Sequence, residues 1–370
     1  MKGLKKGLSM VLTVSLICMG ALAGCARQGS ATGSSTATGT SSSAVASSAI
    51  SSKETGSQSS FNPDTEKDTI PYDKLTEKYG PIPTDKLPKN AKIGAILKNL
   101  ANEFWLTLGD GMVAEGKKYN VSVGEQASRT ETDVEGQLSI AENMIEKNYS
   151  ALILSPLTNN NLNSAVKSAK SHNIPIVNAN CEYIEDCDTF VGGIQLDIGR
   201  KAADYIAKKL NGQGKVGVLE GVAGTFTSIQ RVSGFKNEIK KYPQIKIVAS
   251  VPADYETEKG MNVASDIITK NPDISALFCC NDNMALGAVE ALRSANLVGK
   301  VIVTGADGTK DAYKSISKGE LTATLDQFPD INGKAAVDVA LRLMAGQKMP
   351  KVVSTPIEVV DKANMAMYKK

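Results

Sequence analysis

From Lys92 onward the spacing of apolar residues switches repeatedly between a strand period and a helix period. Short runs rich in β-branched residues predict buried strands at Lys92–Leu97, Val121–Val123, Ala151–Leu154, Ile174–Val177 and Thr189–Val191. The amphipathic stretches between them, Phe104–Lys118, Asp133–Lys147 and Leu162–His172, predict helices. The alternation resumes with strands at Val216–Leu219, Ile245–Val251, Ile274–Phe278 and Val301–Thr304 and helices at Ile229–Lys241, Thr257–Lys270, Asn283–Ser294 and Thr309–Ser317. A strand at Leu321–Leu325, a helix at Asp330–Ala345 and a last strand at Val352–Val359 end the chain. Repeated β-α-β order predicts an α/β protein of two doubly wound, Rossmann-like parallel-sheet lobes with helices on both faces.

In open α/β sheets ligands sit beyond the carboxyl ends of the strands, so the residues following each strand are the candidates. They are Lys98 to Trp105, Ser155-Pro156, Asn178-Ala179-Asn180, Ala223-Gly224-Thr225 leading to Arg231, Ala253-Asp254-Tyr255, Asn281-Asp282, Ala306-Asp307-Gly308 and Asp326-Gln327. Planar amides, a guanidinium and a carboxylate can each engage a pair of neighbouring hydroxyls. Aromatic faces cover the C–H faces of a ring. The set suits a neutral polyol and lacks the two carboxylates a glycosidase needs about the scissile bond, so no enzyme activity is expected.

Six of these segments in chain order resemble the type I periplasmic-binding-protein fold of the ribose/galactose substrate-binding family, which serves ABC sugar importers. They are Asn102-Glu103-Phe104-Trp105, Gly221 to Thr225 with Arg231, Pro252 to Tyr255, Cys280 to Gly287, Gly305 to Thr309, and Thr324 to Gln327. The resemblance implies a first lobe of residues 90–193 and 328–355, a second of 194–327 and 356–370, and a three-segment hinge near Gly192-Gly193, Asp326-Gln327 and Thr355-Pro356. It implies that Asn102, Phe104 and Trp105 contact ligand from the first lobe, that Arg231 and Asp307 bind adjacent hydroxyls, and that Asn281 and Gln327 add amide contacts beside a Tyr255 wall. Each position has a plainer reading: a helix-start core for Phe104 and Trp105, a surface site for Arg231, a turn for Asp307. At Asn281-Asp282 the plainer reading is an N-cap, with Asp282 expected to be the cap and Asn281 to face ligand. Asn180-Cys181 stands where ribose binders carry Asp-Arg, Ser155 replaces an Asn, and Ala306 replaces an aromatic residue, which argues against ribose itself. Lys98 replaces a small hydroxyl residue; it either meets a carbonyl or carboxylate of the ligand or lays its stem along the rim with the amine in water. The implied partners are a monosaccharide or polyol and an ABC permease, with the protein a monomer. The alternative is a sensor presenting a furanosyl autoinducer or sugar signal to a receptor.

The N-terminus predicts location. Met1–Gly24 combines Lys2, Lys5 and Lys6 with an apolar run from Leu8 to Leu22, the pattern of a removable export signal. Leu22-Ala23-Gly24-Cys25 resembles the bacterial lipobox, which implies a lipid-carrying Cys25 and an extracytoplasmic protein held at the cytoplasmic membrane's outer face or in the periplasm. A tether follows, assigned to 25–65. Between Ala26 and Ser60, 28 of 35 residues are Ser, Thr, Gly or Ala, too little apolar surface to offset the entropy of ordering.

Composition excludes other chemistry. The +3 formal charge is that of the three signal lysines, so neither nucleic acid nor an electrostatic grip on lipid is expected. The single histidine, His172, leaves a zinc site or His-based triad without material, and neither cofactor nor metal is expected. An export context permits disulfides. Cys181 and Cys187 form one plausible bridge across a loop, whereas the vicinal Cys279-Cys280 would be strained.

Overall fold

The computed structural model describes residues 61–368; the expected signal, Cys25 and the tether up to Ser60 lie outside them. In chain order the elements are β1 (Thr69–Pro71), α1 (Leu75–Tyr79), β2 (Lys92–Asn99), α2 (Glu103–Lys118), β3 (Ser122–Ser128), α3 (Val134–Glu146), β4 (Ala151–Leu154), α4 (Asn163–Ser171), β5 (Ile176–Ala179) and β6 (Thr189–Gly192). There follow α5 (Gln195–Lys209), β7 (Gln213–Glu220), α6 (Phe226–Ile239), β8 (Gln244–Pro252), α7 (Thr257–Lys270), β9 (Ala276–Cys279), α8 (Asp282–Ser294), β10 (Ile302–Asp307) and α9 (Lys310–Lys318). The chain continues through β11 (Ala323–Asp326), α10 (Pro329–Met344), β12 (Val352–Ser354) and β13 (Glu358–Asp361).

The strands form two sheets. One has seven strands in the order β1-β12-β6-β5-β4-β2-β3, and the other six in the order β13-β11-β10-β9-β7-β8. Every pairing is parallel except β11 with β13. Strands buried on both faces read as continuous apolar runs: Ala151–Leu154 and Ala276–Cys279 are fully buried along their length. The first sheet separates two apolar clusters. Ile93, Ala95, Leu97 and Ile153 pack toward α2 and α10, whereas Ile96, Leu152 and Leu154 pack toward α3 and α4. The second sheet is embedded in one larger cluster that takes in Val216, Val218, Phe235 and Phe278, the two phenylalanines stacked with centroids 4.7 Å apart.

The chain passes between sheets three times: after β6, after β11 and after β12. Two expectations change here. The single last strand expected over Val352–Val359 is two strands, β12 in the first sheet and β13 in the second, with Thr355-Pro356 between them. Helix α5, for which no element was expected, fills the stretch after the first crossing; its apolar face (Ile198, Ala202, Ala203, Ile206) is buried while its mean hydropathy is low, which hides it from a search for apolar runs.

The tether expected through residue 65 ends sooner. Phe61 is buried against Phe190 and Val352, and Asp64 accepts hydrogen bonds from the α5 backbone. Residues 66–89, assigned to neither lobe, add β1 to the edge of the first sheet and bury Leu75. Tyr72 Oη donates to Asp338 Oδ2 (2.9 Å), and Arg342 Nη2 donates to the Gly80 carbonyl (2.8 Å), so this segment is sewn to α10.

The expected Cys181–Cys187 bridge does not form: both thiols are free and buried. Cys181 belongs to the cluster on one face of the first sheet and Cys187 to the cluster on the other, so the sheet stands between the sulfurs. Burial raises the Cys181 thiol to about 11 and Cys187 to about 12, which keeps both as unreactive thiols. Denatured without reductant and treated with iodoacetamide, the peptides bearing Cys181 and Cys187 are expected to be alkylated at both positions; recovery of a cross-linked, unalkylated species by mass spectrometry would contradict this packing.

Candidate functional site

The carboxyl ends of the strands in both sheets converge on one cavity with about 310 Å³ of empty space, at the small end of ligand pockets. From the first sheet it is lined by Lys98 at the end of β2, Asn102, Phe104 and Trp105 at the start of α2, Glu131 after β3, and Cys181 after β5. From the second come Thr227 and Arg231 on α6, Tyr255 after β8, Asn281 before α8, and Asp307 at the end of β10.

Local sequence explains much of this placement. Asn102 caps α2, its Oδ1 accepting from the Phe104 N–H (3.0 Å), which turns Phe104 and Trp105 inward. The two rings meet edge to face at 4.9 Å, and Trp105, the chain's single tryptophan, is 3% exposed. Tyr255 and Asp254 hold left-handed backbone angles (φ 64° and 53°), as do Asn180 and Cys181 (56° and 58°). Such strained residues gather at functional sites when the surrounding packing overdetermines them. The cap at α8 is Asn281, not Asp282 as expected: Asn281 Oδ1 accepts from the Met284 N–H (2.9 Å), while its Nδ2 donates to the Tyr255 carbonyl (3.2 Å). Asp282 lies one residue inside and takes the backbone N–H groups of Gly308 and Thr309 (both 2.9 Å) and the Thr324 hydroxyl (2.7 Å), tying α8 to the loop that presents Asp307.

Beneath the cavity five side chains close a ring. Arg231 Nε donates to Gln195 Oε1 (2.9 Å), Gln195 Nε2 to Asn180 Oδ1 (3.0 Å), Asn180 Nδ2 to Gln327 Oε1 (3.4 Å), and Gln327 Nε2 to Asp307 Oδ1 (3.0 Å). Asp307 Oδ1 returns to Arg231 Nη1 at 3.8 Å, and that nitrogen also donates to the Cys280 carbonyl. Asn180 and Gln327, expected to touch ligand, are instead fully buried in this ring and line no part of the cavity. Both atoms of the Gln327 amide are committed to the ring, and both atoms of the Asn180 amide likewise. Ser155 is also displaced from the expected set: its hydroxyl donates to the Ala179 carbonyl (2.7 Å) between adjacent strand ends, and it is wholly buried.

Lys98 lines the cavity but does not keep its amine in water, the second of its expected positions. Its amine is buried and paired with Glu182 (3.0 Å), 5.9 Å from the Trp105 ring centroid. Burial opposes the charge on Lys98, but Glu182 and its other anionic neighbours outweigh burial and hold the amine above its usual pKa. Glu182 Oε2 accepts from the Thr227 N–H (2.9 Å), so one carboxylate links the two lobes' walls. Glu131 is raised above the usual carboxylate range chiefly by burial, against the pull of Lys98 and a hydrogen bond with Trp105. Burial likewise lifts Asp307, with Asp282 adding to it and Arg231 opposing. Two buried hydroxyls on the cavity wall, Tyr255 Oη and Thr227 Oγ1, have no protein partner; buried polar atoms left unpaired are costly, and a polar ligand would satisfy them.

Of the eleven expected contacts, eight line the cavity, joined by Cys181, Glu131 and Thr227. Glu131 is not among the expected contacts because β3 runs to Ser128, five residues past the expected end at Val123. The polar residues at its end, Glu125, Gln126 and Ser128, give no strand period, so the loop that carries Glu131 begins later than the apolar pattern implies. Gln195 was missed with α5. Glu182 was legible as the neighbour of Asn180-Cys181, but nothing in the sequence aims it at Lys98.

Residues 93–348 match the family described as "periplasmic binding protein domain". The chain is 36% identical over 273 residues to the D-allose-binding periplasmic protein of Escherichia coli, covering 71% of this chain and 86% of that one. It is 34% identical to the ribose import binding protein RbsB of Bacillus subtilis, covering 73% and 87% respectively. Among solved structures it is similar to an ABC transporter periplasmic solute-binding protein of Actinobacillus succinogenes with bound D-allose, at a TM-score of 0.73 and 32% identity, over 75% of this chain and 100% of that one. A Bacillus halodurans ABC transporter solute-binding protein with bound myo-inositol gives a TM-score of 0.70 at 27% identity, over 75% and 97%.

Removing one member of a buried ion pair leaves the other uncompensated and costs about 3–5 kcal/mol. Glu182→Ala strips Lys98 and the Thr227 N–H of their acceptor together, and is expected to lower unfolding free energy by about that amount. A loss below about 1 kcal/mol in chemical denaturation would mean that Lys98 and Glu182 behave as a solvated surface pair.

Proposed function

The chain belongs to the periplasmic binding protein family, and from that premise we propose that it is an extracytoplasmic solute-binding lipoprotein that captures a monosaccharide or related polyol between two lobes and delivers it to an ABC importer. The family is one of binding proteins, not enzymes. The observation that carries the ligand class is the cavity itself. The Arg231–Asp307 pair and the unpartnered hydroxyls of Tyr255 and Thr227 face Phe104 and Trp105 across a space of monosaccharide scale. Polar groups on one wall read hydroxyls, and aromatic groups on the other cover C–H faces. The D-allose, ribose and myo-inositol of the similar proteins are ligands of that kind.

The charges in the cavity argue for a neutral ligand. Lys98 is neutralised by Glu182, Arg231 is balanced by Asp307, and Glu131 adds a further carboxyl. An anionic ligand would meet no unpaired cation there. The loss of a ribose-type Asp-Arg pair at Asn180-Cys181 has a counterpart in the ring, where Asn180 supports Gln195 and Gln327 instead. A lobe of 90–193 with 328–355 and a lobe of 194–327 with 356–370 would close on ligand about the three crossings, ligand contact with both lobes shifting the population toward the closed form. Acylation at Cys25 would hold the protein at the membrane.

Trp105 offers a direct test. As the only tryptophan and a wall residue, it should change emission when the full chain is titrated with D-allose, D-ribose, other pentoses and hexoses, and myo-inositol. At least one neutral sugar or cyclitol is expected to saturate the change at micromolar level, about −8.2 kcal/mol, with compaction in small-angle scattering. Charged hydrogen bonds are worth about 1.5–3 kcal/mol each, so losing the two that a guanidinium can give to adjacent hydroxyls in Arg231→Ala should weaken that ligand at least about a hundredfold. Saturation by uronates alone, or binding that survives Arg231→Ala, would defeat the proposal.

A further inference from the structure

Helix α5 starts immediately after the first crossing between sheets, and its sequence supplies no cap. The residue at its N-cap is Ile194, which makes no side-chain capping bond, although the first N–H groups of a helix need acceptors. Asp64 provides them from outside the helix. Its Oδ1 accepts from the Gln195 N–H (2.9 Å) and its Oδ2 from the Leu196 N–H (2.8 Å). Asp64 lies upstream of the span 93–348 that matches the family, in a segment that the sequence assigned to the tether.

The segment is held from the other side. Phe61 is buried beside Phe190 and Val352 of the first sheet and meets Tyr183 edge to face at 5.8 Å. Tyr183 in turn meets Phe226, the first residue of α6, at 5.0 Å. Phe61 therefore pins the segment to the first lobe while Asp64 grips the first helix of the second.

The start of α5 reaches a cavity-lining residue. Gln195, whose N–H Asp64 accepts, uses its side chain to take the Arg231 Nε–H. Helices α5 and α6 touch backbone to backbone: a Cβ on Gly199 would collide with the Arg231 carbonyl, and one on Gly234 with the Leu196 carbonyl. Side chains at either glycine would force the helices apart, so the two are packed at backbone contact beside Arg231.

We infer that Asp64 is a positioning residue of the binding cavity: it fixes the first turn of α5 and, through Gln195, the orientation of the Arg231 guanidinium. That Arg231 contacts ligand rests on the proposed function; the positioning itself does not. Residues 61–64 are thus part of the site's support, beside the first crossing between the sheets.

The test reads Arg231 without ligand. In the full chain labelled with nitrogen-15 arginine, the Nε–H signal of Arg231 is assigned by its loss in Arg231→Lys, and its exchange with water is compared with that of exposed Arg129. Wild type is expected to show the Arg231 signal protected at least about tenfold over Arg129, as a buried bonded N–H should be. Loss of a helix cap releases the first turn, so Asp64→Ala should cut that protection about fivefold to tenfold, as should Gln195→Ala. Asp64→Asn keeps one of the two acceptor oxygens and sets an amide donor against the other N–H, so its loss should be smaller than that of Asp64→Ala but measurable. Unchanged protection in Asp64→Ala, or equal loss in Asp64→Asn and Asp64→Ala, would overturn the inference. The same variants titrated with D-allose by Trp105 emission form a separate arm; absence of binding by wild type there bears on the proposed ligand class and leaves the Arg231 result to decide the positioning role.

Discussion

A buried guanidinium has to be surrounded by acceptors, and Arg231 imposes that demand where the chain crosses between sheets. Its charge is taken out of water, which is costly without partners. Its direct partners are Gln195 after the first crossing and, from the second sheet, Asp307 and the Cys280 carbonyl; Asn180 from the first sheet and Gln327 at the second crossing close the ring behind Gln195 and Asp307. Each amide in the ring donates on one side and accepts on the other. No member can rotate without leaving a buried polar atom unpaired.

This ring explains the division of labour around the cavity. Residues that carry charge or aromatic surface, Arg231, Asp307, Trp105 and Tyr255, stand on the wall. Amides such as Asn180 and Gln327 stand behind and orient them. Elsewhere Lys98 stands on the wall itself, paired with Glu182, which also takes the Thr227 N–H and so links the two lobes. With these charges paired, the wall keeps two buried hydroxyls, Tyr255 Oη and Thr227 Oγ1, without a protein partner. The sites of backbone strain, Asn180-Cys181 and Asp254-Tyr255, fall at the ends of β5 and β8, where a turn must direct a side chain that a relaxed one would turn away.

The N-terminal segment extends the same logic. Residues 61–89 add a strand to the first sheet, sew themselves to α10 through Tyr72 and Arg342, and cap α5 through Asp64. These contacts lie next to the first crossing between the sheets.

Local sequence by itself determined the strand–helix alternation, because a strand buried on both faces and a helix buried on one have different periods, and the chain from Lys92 keeps those periods. It also determined most of the cavity wall, because residues after parallel strands have only one edge of the sheet to occupy. Eight of the expected contacts lie there for that reason. What the sequence left open is whatever depends on partners far along the chain. The β3 end, hidden by polar residues at a sheet edge, concealed Glu131. A helix of low hydropathy concealed α5 and Gln195. The pairing of Lys98 with Glu182, the separation of Cys181 from Cys187 by a sheet, and the withdrawal of Ser155, Asn180 and Gln327 behind the wall were decided only in three dimensions. A side chain's periodicity is set by its neighbours in sequence, but its hydrogen bonds are set by whichever buried donor or acceptor the fold brings within reach.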